Sequence, residues 1–211
     1  MGATSVKSRI LDLLADVVVD NTAIGQFATD AAKEIINVLP LEMLWSMSTT
    51  TEDVSGGGAE ITSARILSVS RDGYTAREIP FSDKSRYEAN SNSIYEATDK
   101  SPVYYKKGGE VFILPTAASN AIVEHVNYPT ITFDSDLSTS ILVGSPDEIE
   151  HLIIMKTAIK ARLSELNEFQ DDTEEHNLKM ADLQLLQREY EGALATFIAS
   201  YSRPSQQREE Q

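Results

Sequence analysis

The sequence predicts an α+β fold in which helical N-terminal and C-terminal segments, the latter a helical hairpin, surround a small antiparallel β module. Three observations predict it. Apolar residues recur at three- and four-residue steps near both ends of the 211-residue chain. They alternate at period two through the middle, and Asp-Gly and Gly-Gly pairs punctuate that middle as hairpin turns do. The expected divisions are N-terminal helices over 1–48, a β-rich module over 49–145, a helical hairpin over 146–201 and a tail over 202–211. Together they are expected to make one structural unit, since 211 residues is tight for two full domains.

Residues 5–18 place Val6, Ile10, Leu13, Leu14 and Val17 along one apolar stripe, with Ser5 as N-cap. A second helix follows over 22–38, with Ile24, Phe27, Ala28, Ala31, Ile35 and Val38 on one side and Pro40 ending it. Residues 41–47 add one more turn, carrying Trp45, the only tryptophan, as a plug in the core. The polar stretch 49–60 holds Gly56, Gly57 and Gly58 and reads as a flexible linker. It lacks the Lys and Ser or Thr of a phosphate-binding loop, and no strand leads into it.

From Ile61 the period changes to two. Ile61, Leu67 and Val69 share a face, Asp72 and Gly73 turn the chain, and 74–79 return as the second strand of a hairpin. Pro80, Ser82 and Asp83 are helix-start residues, so 81–89 form a short helix lying over the sheet. Strands follow at 94–97, 103–106, 110–114 and 122–128. Within them, the ten residues from Tyr104 to Ile113 make a second hairpin, with Lys106 and Lys107 set in water at its Gly108-Gly109 tip.

Pro146 and Asp147 open a helix reaching about Phe169, striped by Ile149, Leu152, Met155, Ile159, Leu163 and Leu166. Thr173 caps a second one, in which Leu183, Leu186, Tyr190, Ala193 and Phe197 step by three and four. Between them Glu165, Glu168, Asp171, Asp172, Glu174 and Glu175 hold the joint in water. The tail 202–211 has no apolar residue but Pro204 and stays disordered until a partner orders it.

A formal charge of −15 with no cluster of Lys and Arg argues against gripping nucleic acid through its phosphates. Having no Cys removes disulfides, thiolate catalysis and Cys-ligated zinc, and fits a reducing cytoplasm. No apolar run approaches the roughly 20 residues that span a bilayer, so the chain reads as soluble with no membrane partner. Residues 1–19 lack the plan of a secretory signal.

Chemistry finds no foothold. Each His follows a Glu (Glu124-His125, Glu150-His151, Glu175-His176), and neighbours in sequence point apart on a strand or helix. Asp134 and Asp136 lack the Gly and distal Glu of a calcium loop and read as turn residues. There is no Gly-Xaa-Ser-Xaa-Gly elbow. We therefore expect no catalytic residues, no cofactor and no metal; an enzyme whose site forms only in the fold stays open as an alternative.

Several pieces, in this order, carry a resemblance. They are Leu39-Pro40, Arg71-Asp72-Gly73-Tyr74 with Arg77-Glu78, and Ser101-Pro102-Val103-Tyr104-Tyr105 leading into Val111-Phe112-Ile113-Leu114-Pro115. Val126-Asn127-Tyr128-Pro129 and the helix from Pro146-Asp147-Glu148 through Ala158-Ile159-Lys160-Ala161 complete them. The chain resembles the neck proteins of tailed bacteriophages, the head-tail connector or adaptor beneath the portal. The long second C-terminal helix with its polar tail departs from the minimal helical connector.

The resemblance implies a virion protein of the neck, assembled in the host cytoplasm as a ring of about twelve copies. Such a ring binds the portal on one side and a tail or nozzle protein on the other, and DNA passes through its lumen without specific binding. It implies Tyr201, Arg203, Pro204 and Arg208 as portal-docking candidates. Leu152, Ile159, Leu163, Leu186, Tyr190 and Phe197 are candidates for a helix face that is either inter-subunit or core. A tail-completion or baseplate component is the alternative within the same class.

Overall fold

The structure is a computed structural model that describes residues 6–14, 17, 19–51, 59–61, 64–88, 94–116, 121–132, 146–166 and 173–201. In chain order its elements are α1 (Val6–Leu13), α2 (Asn21–Val38), α3 (Leu41–Trp45), β1 (Thr49–Thr51), β2 (Ala59–Glu60), β3 (Ala64–Arg71), β4 (Tyr74–Thr75) and β5 (Arg77–Glu78). A 3-10 turn (Phe81–Asp83) and α4 (Lys84–Tyr87) come next. The chain then forms β6 (Val103–Lys107), β7 (Glu110–Leu114), β8 (Ala121–Asn127), α5 (Asp147–Leu166) and α6 (Thr173–Tyr201). The α+β class is the observed one, with helices at both ends and the α5–α6 hairpin last. The chain nevertheless divides into two compact units, not one. A helical unit takes Met1–Ser46 and Pro129–Gln211, and a β-rich unit takes Met47–Tyr128.

In the helical unit α5 is the centre, because α1, α2 and α6 all pack on it. Ile149, Leu152, Ile153, Ile154, Met155, Ala158, Ile159 and Ala161 are buried, and they point around the whole helix, not along one stripe. Burying each large apolar side chain stabilises the fold by about 1.5–3 kcal/mol. Thr157, fully buried, satisfies its hydroxyl by donating to the Ile153 carbonyl at 2.7 Å. α2 starts at an Asp20 cap whose carboxylate accepts from the Thr22 amide, 3.1 Å. α6 lays Leu183, Leu186, Tyr190 and Phe197 into the core, all buried.

Several expectations fail in this unit for identifiable reasons. α1 stops at Leu13, short of Val18, where Arg162 of α5 donates to the Leu13 carbonyl at 2.9 Å and so satisfies a helix-end acceptor. Val38 is 56% exposed, since Leu39 turns inward in its place. Trp45 is no core plug: it is 43% exposed, and Met43 and Leu44 take the buried positions of α3. Leu163 likewise leaves the apolar stripe, at 42% exposed. Glu165 does not sit in water. It is buried and receives the Lys179 ammonium of α6 at 2.7 Å. Ser5, Glu168, Phe169, Asp171 and Asp172 lie outside the described residues.

The β-rich unit contains two four-stranded sheets, ordered β1-β8-β3-β4 and β2-β7-β6-β5. All pairs are antiparallel except β5 with β6. Val69, Ala76, Tyr104, Val111, Ile113, Ala121 and Val123 from both sheets share one core. Alternate residues of β6 and β7, namely Val103, Tyr105, Phe112 and Leu114, face the other way and pack with Ile79, Tyr87 and Ala97. Covered on both faces, β6 and β7 read as nearly continuous apolar runs.

Both hairpins turn on two residues of positive φ, Asp72-Gly73 (48° and 83°) and Gly108-Gly109 (63° and 87°), the geometry that suits strand twist. The first hairpin is shorter than expected. After β4 the chain crosses at Ala76, whose amide donates to the Val69 carbonyl (2.7 Å), and β5 enters the other sheet. Leu67 does not share the Ile61 face; it is the unopposed residue of a bulge between Ile66 and Ser68. Thr49–Thr51, expected as linker, is a strand paired with His125, Glu124 and Val123. Residues 94–97 are not a strand: Ile94 is 91% exposed, and Ala97 bonds back to the Tyr87 carbonyl. The β-rich segment also ends sooner than residue 145, since Ile131 of the helical unit donates its amide to Thr29 Oγ1 of α2, 2.9 Å.

Candidate functional site

Helical periodicity brings three distant segments to one groove of about 800 Å³ in the helical unit, between α1, the first turns of α5 and the last turns of α6. Arg9, Asp147, Glu148 and His151 give it a polar side; Leu152, Ala193, Phe197 and Tyr201 give it an apolar one. Asp147 and Glu148 occupy the first turn of α5, where the helix dipole favours carboxylates. Arg9 Nη1 pairs with Glu150 at 3.0 Å, and its Nη2 donates to His151 Nδ1 at 3.4 Å. The two neighbours thus converge on one guanidinium, although adjacent residues point apart; the reach of Arg9 from another helix was invisible in the sequence. Tyr201 is 44% exposed at the rim and meets Phe197 edge to face, centroids 5.3 Å apart. Such a groove can hold an apolar side chain with a basic or amide group beside it. A smaller depression of about 540 Å³ lies along α2, lined by Asn21, Gly25, Thr29 and residues 130–132.

The helices are tied by ion pairs. Glu34 of α2 receives Lys160 at 2.7 Å and Lys156 at 3.4 Å, both from α5. Partial burial pushes the Glu34 carboxyl up, but the Lys160 hydrogen bond and both lysine charges outweigh it and hold the pKa below the usual glutamate range. Lys156 also lies over the Tyr190 ring, 5.0 Å from its centroid. Burial, with the Glu34 charge, holds the Tyr190 hydroxyl above its ordinary value.

The β-rich unit carries a different surface, of cations laid on rings. Lys107 sits 4.9 Å from the Phe81 centroid, Arg77 5.5 Å from Tyr87, Lys84 5.8 Å from Tyr105 and Lys106 5.9 Å from Tyr104. Phe81 meets Tyr105 at a tilt, centroids 5.6 Å apart, and Tyr105 stacks on Phe112 at 5.2 Å. Lys106 and Lys107 are exposed, as the hairpin reading expects, yet their ammonium groups are not simply solvated. Glu78 joins the two motifs by accepting from Tyr104 (2.8 Å) and pairing with Lys106 (3.0 Å). Burial, reinforced by the hydrogen bond to Glu78, raises the Tyr104 pKa far above its ordinary value.

Of the helix-face candidates, Leu152, Ile159, Leu186, Tyr190 and Phe197 are buried within the chain's own core, and Leu163 is exposed. Of the docking candidates, Tyr201 stands on the groove rim, while Arg203, Pro204 and Arg208 lie outside the described residues, as do Asp134 and Asp136. His125 is buried on β8, whereas Glu124 is only partly covered. Among the described residues no three His, Asp or Glu side chains gather as a metal site would, and no helix is long and apolar enough to cross a membrane. No protein-family model matches the chain, and no curated protein matches it.

Proposed function

We propose that this chain is a structural virion protein, a head-tail adaptor of a tailed bacteriophage that forms a ring of about twelve copies below the portal. The ring links capsid to tail and continues the DNA channel. One observation carries the reading: the sequence landmarks of the resemblance fall on the joints of the fold. Leu39 is the C-cap of α2 and Pro40 the N-cap of α3; Arg71 to Tyr74 is the first hairpin turn; Val103–Lys107 and Glu110–Leu114 are the central hairpin; Pro146 directly precedes α5. Exposed Leu163, Leu178, Leu185 and Tyr201 leave apolar area on the helical hairpin for other chains, while the original helix stripe is spent inside the subunit.

The acidic surplus suits a conduit through which DNA slides without sticking, because like charge repels the phosphates. A ring whose lumen proved basic or neutral would remove that role. The test of the adaptor reading is the mass of the purified chain alone and mixed with a portal ring, with the 202–211 deletion in parallel. About twelve copies on the portal, and weaker docking of a still folded deletion variant, are expected. Binding to a tail component in another stoichiometry would transfer the protein to tail completion or the baseplate.

A further inference from the structure

We propose that α6 pairs in antiparallel fashion with the α6 of a second copy of this chain through its outer face. The helix has two seams. Leu183, Leu186, Tyr190 and Phe197 form the inner one against the subunit's own core. Two residues further along is about 200° around a helix, so Leu185 starts from the opposite side. There Leu178, Ala181, Leu185, Arg188, Gly192, Ala195 and Ala199 are spaced three, four, three, four, three and four residues apart, and all are exposed. Leu178 and Leu185 are 67% and 59% exposed. Three heptads of alternating three and four steps is the spacing by which one helix seats against another.

Gly192 supplies an independent sign. A glycine inside a helix costs about 1 kcal/mol relative to alanine, and its own chain does not require one here. A Cβ built on Gly192 meets nothing within 4 Å, and no positive φ is recorded there. Gly192 also stands at the edge of the groove between α1, α5 and α6; on its outer side, close approach by a helix from outside the chain gives that position a reason.

Shape and charge select the occupant and its direction. With Arg188, the middle of the seven positions, on a two-fold axis, Leu185 falls opposite Gly192 of the second copy and Leu178 opposite Ala199, large against small at each level. The acids of α6 are confined to its first two thirds, at Glu174, Glu175, Asp182, Glu189 and Glu191, and 192–201 carry no charge. Antiparallel pairing sets the acids of the first turns, Glu174, Glu175 and Asp182, against the uncharged last turns; at the axis Arg188 meets Arg188 of the second copy, with Glu189 and Glu191 of both copies beside the pair as counter-charges. Parallel pairing would set every acid against itself. A two-fold contact closes at two copies. The pairing therefore belongs to the free protein, does not rest on the adaptor reading, and is tested without any portal.

Sedimentation of the full chain across a concentration series is expected to show a monomer–dimer equilibrium. Gly192→Leu adds bulk where the second helix approaches, so it should weaken dimerisation at least about ten-fold, as overpacking does, while the melting temperature does not fall. The cysteine-free background allows the register to be read directly by oxidation. Arg188→Cys should cross-link to itself, and Leu185→Cys should cross-link when mixed with Gly192→Cys but not alone. A monomer at all concentrations, Gly192→Leu with undiminished dimerisation, or Leu185→Cys cross-linking to itself as well as in the mixture would overturn the proposal.

Discussion

The two units of this chain solve the same problem with opposite materials. The helical unit holds twenty-two Asp and Glu against ten Lys and Arg; the β-rich unit holds eleven against eight. In the first, most cations of α5 and α6 are spent tying one helix to another, as Lys156, Lys160, Arg162 and Lys179 show. In the second, Arg77, Lys84, Lys106 and Lys107 lie over aromatic rings, two of which, Tyr104 and Tyr105, are buried in the sheets. Most of the acidic surplus is therefore a property of the helical unit, while the β-rich unit, closer to neutral, is the one that lays its cations on rings. Any role for charge has to be assigned unit by unit.

The helical unit is most vulnerable at α5, on which its other long helices pack. Ile153→Ala empties a fully buried position and should cost roughly 3 kcal/mol. Trp45 belongs to the helical unit, so urea titration followed by its fluorescence reads that loss there. An unmoved midpoint would deny α5 its central place. Glycine sharpens the contrast with a smaller effect of opposite sign in each unit. Gly108→Ala forces a side chain into the positive-φ tip of a hairpin and should cost about 1 kcal/mol. Gly192→Ala, with open space around it, should gain about 0.5–1 kcal/mol in dilute protein. Thermal melts of the two variants decide it.

The smallest effect is a pH dependence. Glu34 has its pKa lowered in the fold, so its contribution is complete above the ordinary glutamate value and is lost as pH falls through the folded value. Because its side chain is 49% exposed, solvent screening limits the effect to about a few tenths of a kcal/mol. Glu34→Gln should melt slightly below the parent at neutral pH and level with it in acid. A gap that widened in acid would reverse the assigned sign.

Local signals carried much of this fold. Gly108-Gly109 between two apolar runs, Pro146 before α5 and the three-four stepping of Leu183, Leu186, Tyr190 and Phe197 each act within a few residues, so the sequence exposes them. Where a distant segment decides, it does not. Thr49–Thr51 becomes a strand because residues 123–125 offer it a ladder, and Leu67 leaves the core because the β8 register requires a bulge. Glu165 is drawn inside by Lys179, and α5 loses its single stripe because three helices cover it. The groove is hidden from the sequence for the same reason: Tyr201 and Leu152 stand out singly, but Arg9 and His151 join them only once α1, α5 and α6 are packed.

One short stretch has a mechanical side. β4 and β5 are two residues each, they belong to different sheets, and Ala76 alone joins them, its amide held by Val69 while the next amide, of Arg77, is held by the Pro102 carbonyl. Tension applied along residues 74–78 is shared between both ladders at once. Pulled from this edge, the two sheets are loaded in common through the Ala76 and Arg77 amides, as two plates are through a rivet.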